Sequence, residues 1–209
     1  MQTSVGRPKD LEKRKKILQA AKSLFLKNGY HGSSMNQIAK EAGVTKLTVY
    51  NHFQDKEKLF TCAIEETCEE SIKSHSVILN PQSDFQMAFY RTCELALEIS
   101  NLPEAIKLEH LLLQLSAEKN PLAKQFYEVS HQRMCAVWEM FFEQAVALGF
   151  IAKDDSTKHT NLILSLLFGV RHHEVLLGIR PSPTTLEKQQ IIRDSIELFL
   201  LKYKTIKPY

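Results

Sequence analysis

Residues 29–60 read GYHGSSMNQIAKEAGVTKLTVYNHFQDKEKLF, and two helix starts lie close together inside them. Ser34-Met35-Asn36-Gln37 is a capping-box pattern: the Ser34 hydroxyl can accept the Gln37 N–H while the Gln37 side chain reaches back to the Ser34 N–H. The short helix that follows buries Ile38 and Ala39 and stops at Gly43. After Val44, Thr45 offers a second N-cap, for a helix from Lys46 to Phe53. Two short helices joined by a three- or four-residue turn containing glycine make a helix-turn-helix. Asp55 then caps a longer helix through Lys58, Leu59, Phe60 and Ala63, which the pattern carries to about Asn80-Pro81.

Upstream, Ile17, Ala20, Ala21, Leu24 and Phe25 recur at i, i+3, i+4, i+7 and i+8, one face of a helix from Asp10 to Asn28 that Gly29 ends. Its other face carries Lys13, Arg14, Lys15, Lys16 and Lys22. Beyond Pro81 every segment again has helical period, and no alternating, β-branched run suggests a sheet. The spacing predicts helices near 83–100, 103–117, 121–148, 156–177 and 185–204. Asn120-Pro121, Asp154-Asp155, Gly149, Gly178 and the box Thr184-Thr185-Leu186-Glu187 punctuate them. The chain therefore reads as all-α, with about nine helices.

Composition narrows the function classes. Glycine and proline number seven each among 209 residues, too few for a Gly-rich phosphate loop or a disordered tail to dominate the chain. Cys62, Cys68, Cys93 and Cys135 form no CxxC pair and no zinc spacing, so reduced thiols and no metal are expected. The sequence has no secretory signal and no run approaching the roughly 18 apolar residues of a membrane span, which predicts a soluble, cytoplasmic protein with no membrane partner. Nucleophile elbow, HExxH motif and clustered carboxylate pair are all missing, so neither an enzyme nor a cofactor is expected. Charge is unevenly divided: residues 1–60 hold 12 Lys/Arg against five Asp/Glu, or +7, and residues 61–209 hold 15 against 19, or −4. A basic module followed by an acidic body suits a polyanion such as DNA at the first.

In a helix-turn-helix the start of the second helix faces base edges while its inner stripe packs on the first. Val44, Val49 and Phe53 fit that stripe, leaving Thr45, Lys46, Leu47, Thr48, Tyr50, Asn51 and His52 outward or oblique. Lys46 can reach guanine or a phosphate, Thr48 can offer its hydroxyl and Leu47 can pack on a thymine methyl. Tyr50 and His52 suit phosphate or sugar, or else packing against the fourth helix. Lys56 stands at a helix start that favours an anion.

The stretch 29–60, with the helix ending Phe25…Gly29-Tyr30, resembles the DNA-binding domain of the TetR/AcrR family of bacterial regulators. Its carriers are Ile38-Ala39, Ala42-Gly43-Val44, Thr48-Val49-Tyr50, His52-Phe53 and Lys56-Glu57, an ordered set over about 50 residues. The resemblance implies DNA contacts from Ser34, Asn36, Thr45, Lys46, Leu47, Thr48, Tyr50, Asn51, His52 and Lys56. Leu47 stands where many members have glycine or another small residue. Gly6-Arg7-Pro8-Lys9 resembles the basic arm that some members lay in the minor groove. The implied organisation is a helix-turn-helix DNA-binding domain at 1–60 and a helical effector-binding and dimerisation domain at 61–209.

One recognition helix reads few base pairs, so a homodimer on a palindromic double-stranded operator is expected. Leu162, Ser165, Leu166 and Gly169 form a stripe whose small members permit close approach, and Ile192, Ile196 and Phe199 repeat the spacing in the last helix. Both suit a two-fold interface, or an intrachain core. Among the large residues of the middle helices, Phe89, His110, Gln114, Phe126, Trp138 and Phe141 combine apolar lining with a few polar groups, as a small-molecule pocket does. A plain core asks for nearly the same residues. Residues 109–128 resemble the sensor domains of efflux-pump regulators in the family. His172 and His173 diverge by about 100° on a helix and so cannot easily share a metal ion; an interface or a pocket rim suits them better. Two readings follow: a repressor released from its operator by a small, largely apolar inducer, or an architectural DNA-binding protein without an effector.

Overall fold

A computed structural model describes residues 8–73 and 77–205. Nine helices and no strand occur among them: α1 (Pro8–Asn28), α2 (Met35–Glu41), α3 (Lys46–Phe53), α4 (Lys56–Lys73), α5 (Phe85–Ser100), α6 (Pro103–Ala117), α7 (Pro121–Ala147), α8 (Ser156–Leu176) and α9 (Thr185–Tyr203). Most boundaries fall where the caps put them. Asp55 Oδ1 accepts the Lys58 N–H at 2.7 Å, and Thr184 and Glu187 form a complete capping box at the start of α9. The fourth helix is shorter than expected. It is described to Lys73, and residues 77–80 are already irregular, with the Leu79 N–H tied to Gln144 Oε1 at 2.8 Å. A backbone bond to a side chain 65 positions away has no local signature.

The helices form two compact units. The first takes in residues up to Glu70 together with His110–Val129. In it α1 packs on α2 and α2 on α3. Ile17, Ala21, Phe25, Ile38, Val49, Phe53, Leu59 and Phe60 are buried, with Phe25, Tyr30 and Phe60 in mutual ring contact. Gly43 makes the turn between α2 and α3 possible with φ of 65°, a conformation that glycine adopts without Cβ strain. The second unit holds Ser71–Glu109 and Ser130–Tyr209, where α5, α8 and α9 pack on one another. Its core is aromatic: Phe85, Phe89, Trp138, Phe141, Phe142 and Phe199 meet at centroid separations of 5.0–6.4 Å.

Candidate nucleic-acid interface

The interface starts with how α2 and α3 begin. Ser34 Oγ accepts the Gln37 N–H at 3.2 Å, and the Ser34 N–H donates to Gln37 Oε1 at 2.9 Å, so two of the orphan donors of the α2 N-terminus are satisfied reciprocally. Thr45 Oγ1 accepts the Thr48 N–H at 3.2 Å and lies 2.8 Å from Thr48 Oγ1. Val49 and Phe53 are buried and Val44 is half-buried, so the inner stripe of α3 is spent on packing. The opposite side is therefore available. Thr45, Lys46, Leu47, Tyr50 and Asn51 are exposed there, Leu47 by 69%, and Ser34 and Asn36 are exposed at the start of α2. Lys46 Nζ lies 5.6 Å from the Tyr50 ring centroid, which keeps the ammonium near the outer surface of the helix.

Three of the expected contact residues also have partners within the chain. Thr48 is half-buried with its hydroxyl beside Thr45. His52 is half-buried too, with Nε2 3.2 Å from Asp10 Oδ1 of α1. Lys56 is half-buried: Nζ donates to Ser33 O at 3.1 Å and sits 4.2 Å over the Tyr30 ring. Burial holds its ammonium below the ordinary lysine range. The same brace includes Ser33, whose hydroxyl donates to Leu24 O and Gly29 O, and Tyr30, whose phenol burial and the charges of Glu57 and Asp55 push up to about 12. Sequence reasoning passed over Tyr30 and Ser33 because their partners are set by the packing of three helices. Gly6 and Arg7 of the basic arm lie outside the described residues, and the side chains of Pro8 and Lys9 are not described.

His31 and Glu118 form another pair that local sequence does not announce. His31 Nε2 lies 2.7 Å from Glu118 Oε2 inside the first unit, and Gln114 donates to Glu118 Oε1 at 3.1 Å. Those hydrogen bonds, His31 first, hold the Glu118 carboxyl below its usual range.

The six candidate ligand residues are divided between the two units. Phe89, Trp138 and Phe141 are buried in the aromatic core of the second unit, whereas His110, Gln114 and Phe126 belong to the first, where His110 and Gln114 are exposed. Of the dimer candidates, Ile192 and Phe199 are buried in the core of their own unit: the last helix turns that stripe onto α5 and α8. Ser165 and Gly169 are exposed, and Leu162, Leu166 and Ile196 are half-buried. Gly169 has φ of 30° and breaks the helical geometry of α8, while a Cβ built on it would meet nothing within 4 Å. Inside the chain, glycine serves the kink there, not a close neighbour.

A basic helical unit displaying a capped recognition helix defines a DNA-binding transcription regulator. Residues 17–61 match the family described as bacterial regulatory proteins, tetR family, and residues 89–205 match the C-terminal domain of AefR-like transcriptional repressors. The chain belongs to the TetR family, whose members are regulators and not enzymes. It is 28% identical over 160 residues to the transcriptional regulator UidR of Escherichia coli K12, covering 75% of this chain and 79% of that one. The structure of the flavonoid-responsive regulator FrrA superposes with a TM-score of 0.79 at 27% identity, covering 93% of this chain and 98% of that one. A TetR-family regulator from Mesorhizobium loti superposes with a TM-score of 0.80 at 24% identity over 95% of this chain and 100% of that one. No described helix is long and apolar enough to cross a membrane.

Proposed function

We propose that this protein is a ligand-responsive repressor that binds a palindromic operator as a homodimer and leaves it when a small organic molecule binds the second unit. The observation that carries the reading is the exposed start of α3, with Lys46, Leu47, Tyr50 and Asn51 outward over a fully packed inner stripe. In that reading Lys46 and Asn51 reach base edges, Leu47 packs on a thymine methyl, and Ser34, Asn36, Thr45, Thr48 and Tyr50 meet phosphate or base. His52 and Lys56 act chiefly by holding the reader in shape, through Asp10 and Ser33. The repressor sense is supported by the C-terminal family match, and ligand response by the likeness to FrrA, a flavonoid-responsive regulator. Control of an efflux system, which the resemblance of residues 109–128 to the sensor domains of efflux-pump regulators implies, is the finer part of this proposal.

For operator release, a ligand need only prefer the non-binding arrangement: a coupling of about 1 to 3 kcal/mol changes affinity some 5- to 150-fold. Fluorescence anisotropy on promoter DNA upstream of the gene itself tests the reading. Selective binding over random DNA at moderate salt is the expected result, and its absence overturns the proposal. The filled aromatic core of the second unit favours the alternative of an effector-independent architectural protein. A thermal-shift screen decides between them, since a hit that also weakens operator binding eliminates the alternative.

A further inference from the structure

The helix α3 is too short to hold its own direction. At eight residues it would be marginal in isolation, so its orientation depends on what its neighbours fix. Its start is held by the Thr45 cap, and Val49 and Phe53 are buried along its inner stripe. Its end is the demanding part. Gln54, which follows Phe53, has φ of 60° and ψ of −55°, a conformation costly to a residue with a Cβ and kept only where the surroundings over-determine it.

Two residues one turn apart on α1 reach that end. Asp10 Oδ1 lies 3.2 Å from Nε2 of His52, and the Arg14 guanidinium lies 5.4 Å from the ring centroid of Phe53, the next residue along α3. Asp10 and Arg14 stand at i and i+4, so one row of α1 meets two consecutive residues of the last turn of α3. Arg14 also shares a hydrogen bond with Cys62 of α4. A half-buried guanidinium thus joins three helices, while its sequence neighbours Lys13 and Lys15 are exposed. Asp10 is equally out of place in its surroundings. It is a carboxylate in a stretch of net charge +7, and against a polyanion it acts in the wrong direction. Its place in the first turn suits the macrodipole of α1, but that role requires no partner on α3.

We infer that Asp10 and Arg14 are positioning residues that determine how selectively the protein reads its operator. They act through His52 and Phe53. By fixing the last turn of a helix only on the order of 12 Å long, they set the angle at which Lys46, Leu47 and Asn51 at its other side are presented to the duplex. The inference deepens the operator-binding reading and rests on it. Removing Asp10 has two opposed consequences: attraction to any DNA gains from the loss of a negative charge, while the fit to the operator suffers.

Fluorescence anisotropy of the full chain on the promoter duplex and on a random duplex, with thermal midpoints measured alongside, tests it. Asp10→Ala should bind the promoter about two- to fivefold more weakly, as suits a pair with one exposed partner, and the random duplex no more weakly than the unaltered chain. Asp10→Asn, which loses the same charge but keeps an acceptor for His52 Nε2, should restore promoter binding. Arg14→Lys keeps the charge and loses the planar group over Phe53, and it should lower selectivity by a similar factor. Three results overturn the inference: promoter binding by Asp10→Ala that equals or exceeds that of the unaltered chain, equal behaviour of Asp10→Ala and Asp10→Asn, or parallel loss on both duplexes with a lowered thermal midpoint. Should Asp10→Ala fail to fold, Arg14→Lys decides, and unchanged selectivity overturns it. An unaltered chain that does not prefer the promoter rejects the repressor reading and the inference together. A preference that survives both Asp10→Ala and Arg14→Lys rejects the inference alone.

Discussion

The two units place their polar groups in opposite ways. In the first, the uncommitted polar side chains of α2 and α3 stand on the outside, where Lys46, Tyr50 and Asn51 meet solvent. In the second, buried polar atoms without a hydrogen bond occur inside: Asn101, Thr160, Arg171 and His172 all belong to it. A surface that reads DNA can leave its donors in water until the duplex arrives. In the second unit the bare groups are held away from water, which costs free energy that the packed aromatic core around them must offset.

The contrast breaks if the aromatic core is not what holds the second unit rigid. Phe89 is fully buried and meets Trp138, Phe141, Phe142 and Phe199, so Phe89→Ala should cost about 3 to 5 kcal/mol in urea unfolding. A loss under about 1 kcal/mol would show a loose core and remove the physical basis of the contrast. On the first unit, Lys46→Ala should lower discrimination between operator and random DNA by about 1 to 3 kcal/mol. Lys56→Ala should weaken both kinds of binding together with the thermal stability of the unit, by about 1 kcal/mol, because it releases Ser33 and Tyr30. If Lys56→Ala makes the salt dependence shallower by about one unit and leaves stability alone, Lys56 reaches a phosphate instead.

Acid sharpens the contrast further. His159 is fully buried among Phe142, Phe199 and Tyr203, and desolvation holds its pKa below the ordinary histidine value of 6.5. Below pH 6.5 the unfolded chain takes up a proton there that the folded one refuses. Stability is therefore full above pH 6.5 and falls as the pH drops toward the lowered folded value. His159→Leu should flatten that fall in the second unit, read from chemical unfolding between pH 7 and pH 5. An unchanged acid slope would assign it to other groups.

Much of the first unit was legible because its signals are local. A capping box spans four residues and a glycine turn three or four, so Ser34, Gln37, Gly43 and Thr45 placed both starts and the span of α3, while α2 stops at Glu41, two residues before Gly43. Even there, the positive φ of Gln54, the central residue of a tight turn in which the Asp55 N–H reaches Phe53 O at 2.6 Å, carried no signal in its side chain. In the second unit helical period located five elements, yet it could not say which stripe faces inward. Ile192 and Phe199 carry the same spacing whether they meet a partner chain or α5, and they meet α5 and α8.

Helix class, caps, charge division and the exposed face of α3 were determined by the sequence itself, since each depends on neighbours within about one turn of chain or on a simple count. The tertiary structure alone decided that Lys56 braces Ser33, that the aromatics of the second unit pack as core, and that Asn101, Arg171 and His172 share one cleft. Asn101 and Arg171 are 70 positions apart, and whether a polar group ends up paired or bare depends on what long-range packing brings to it.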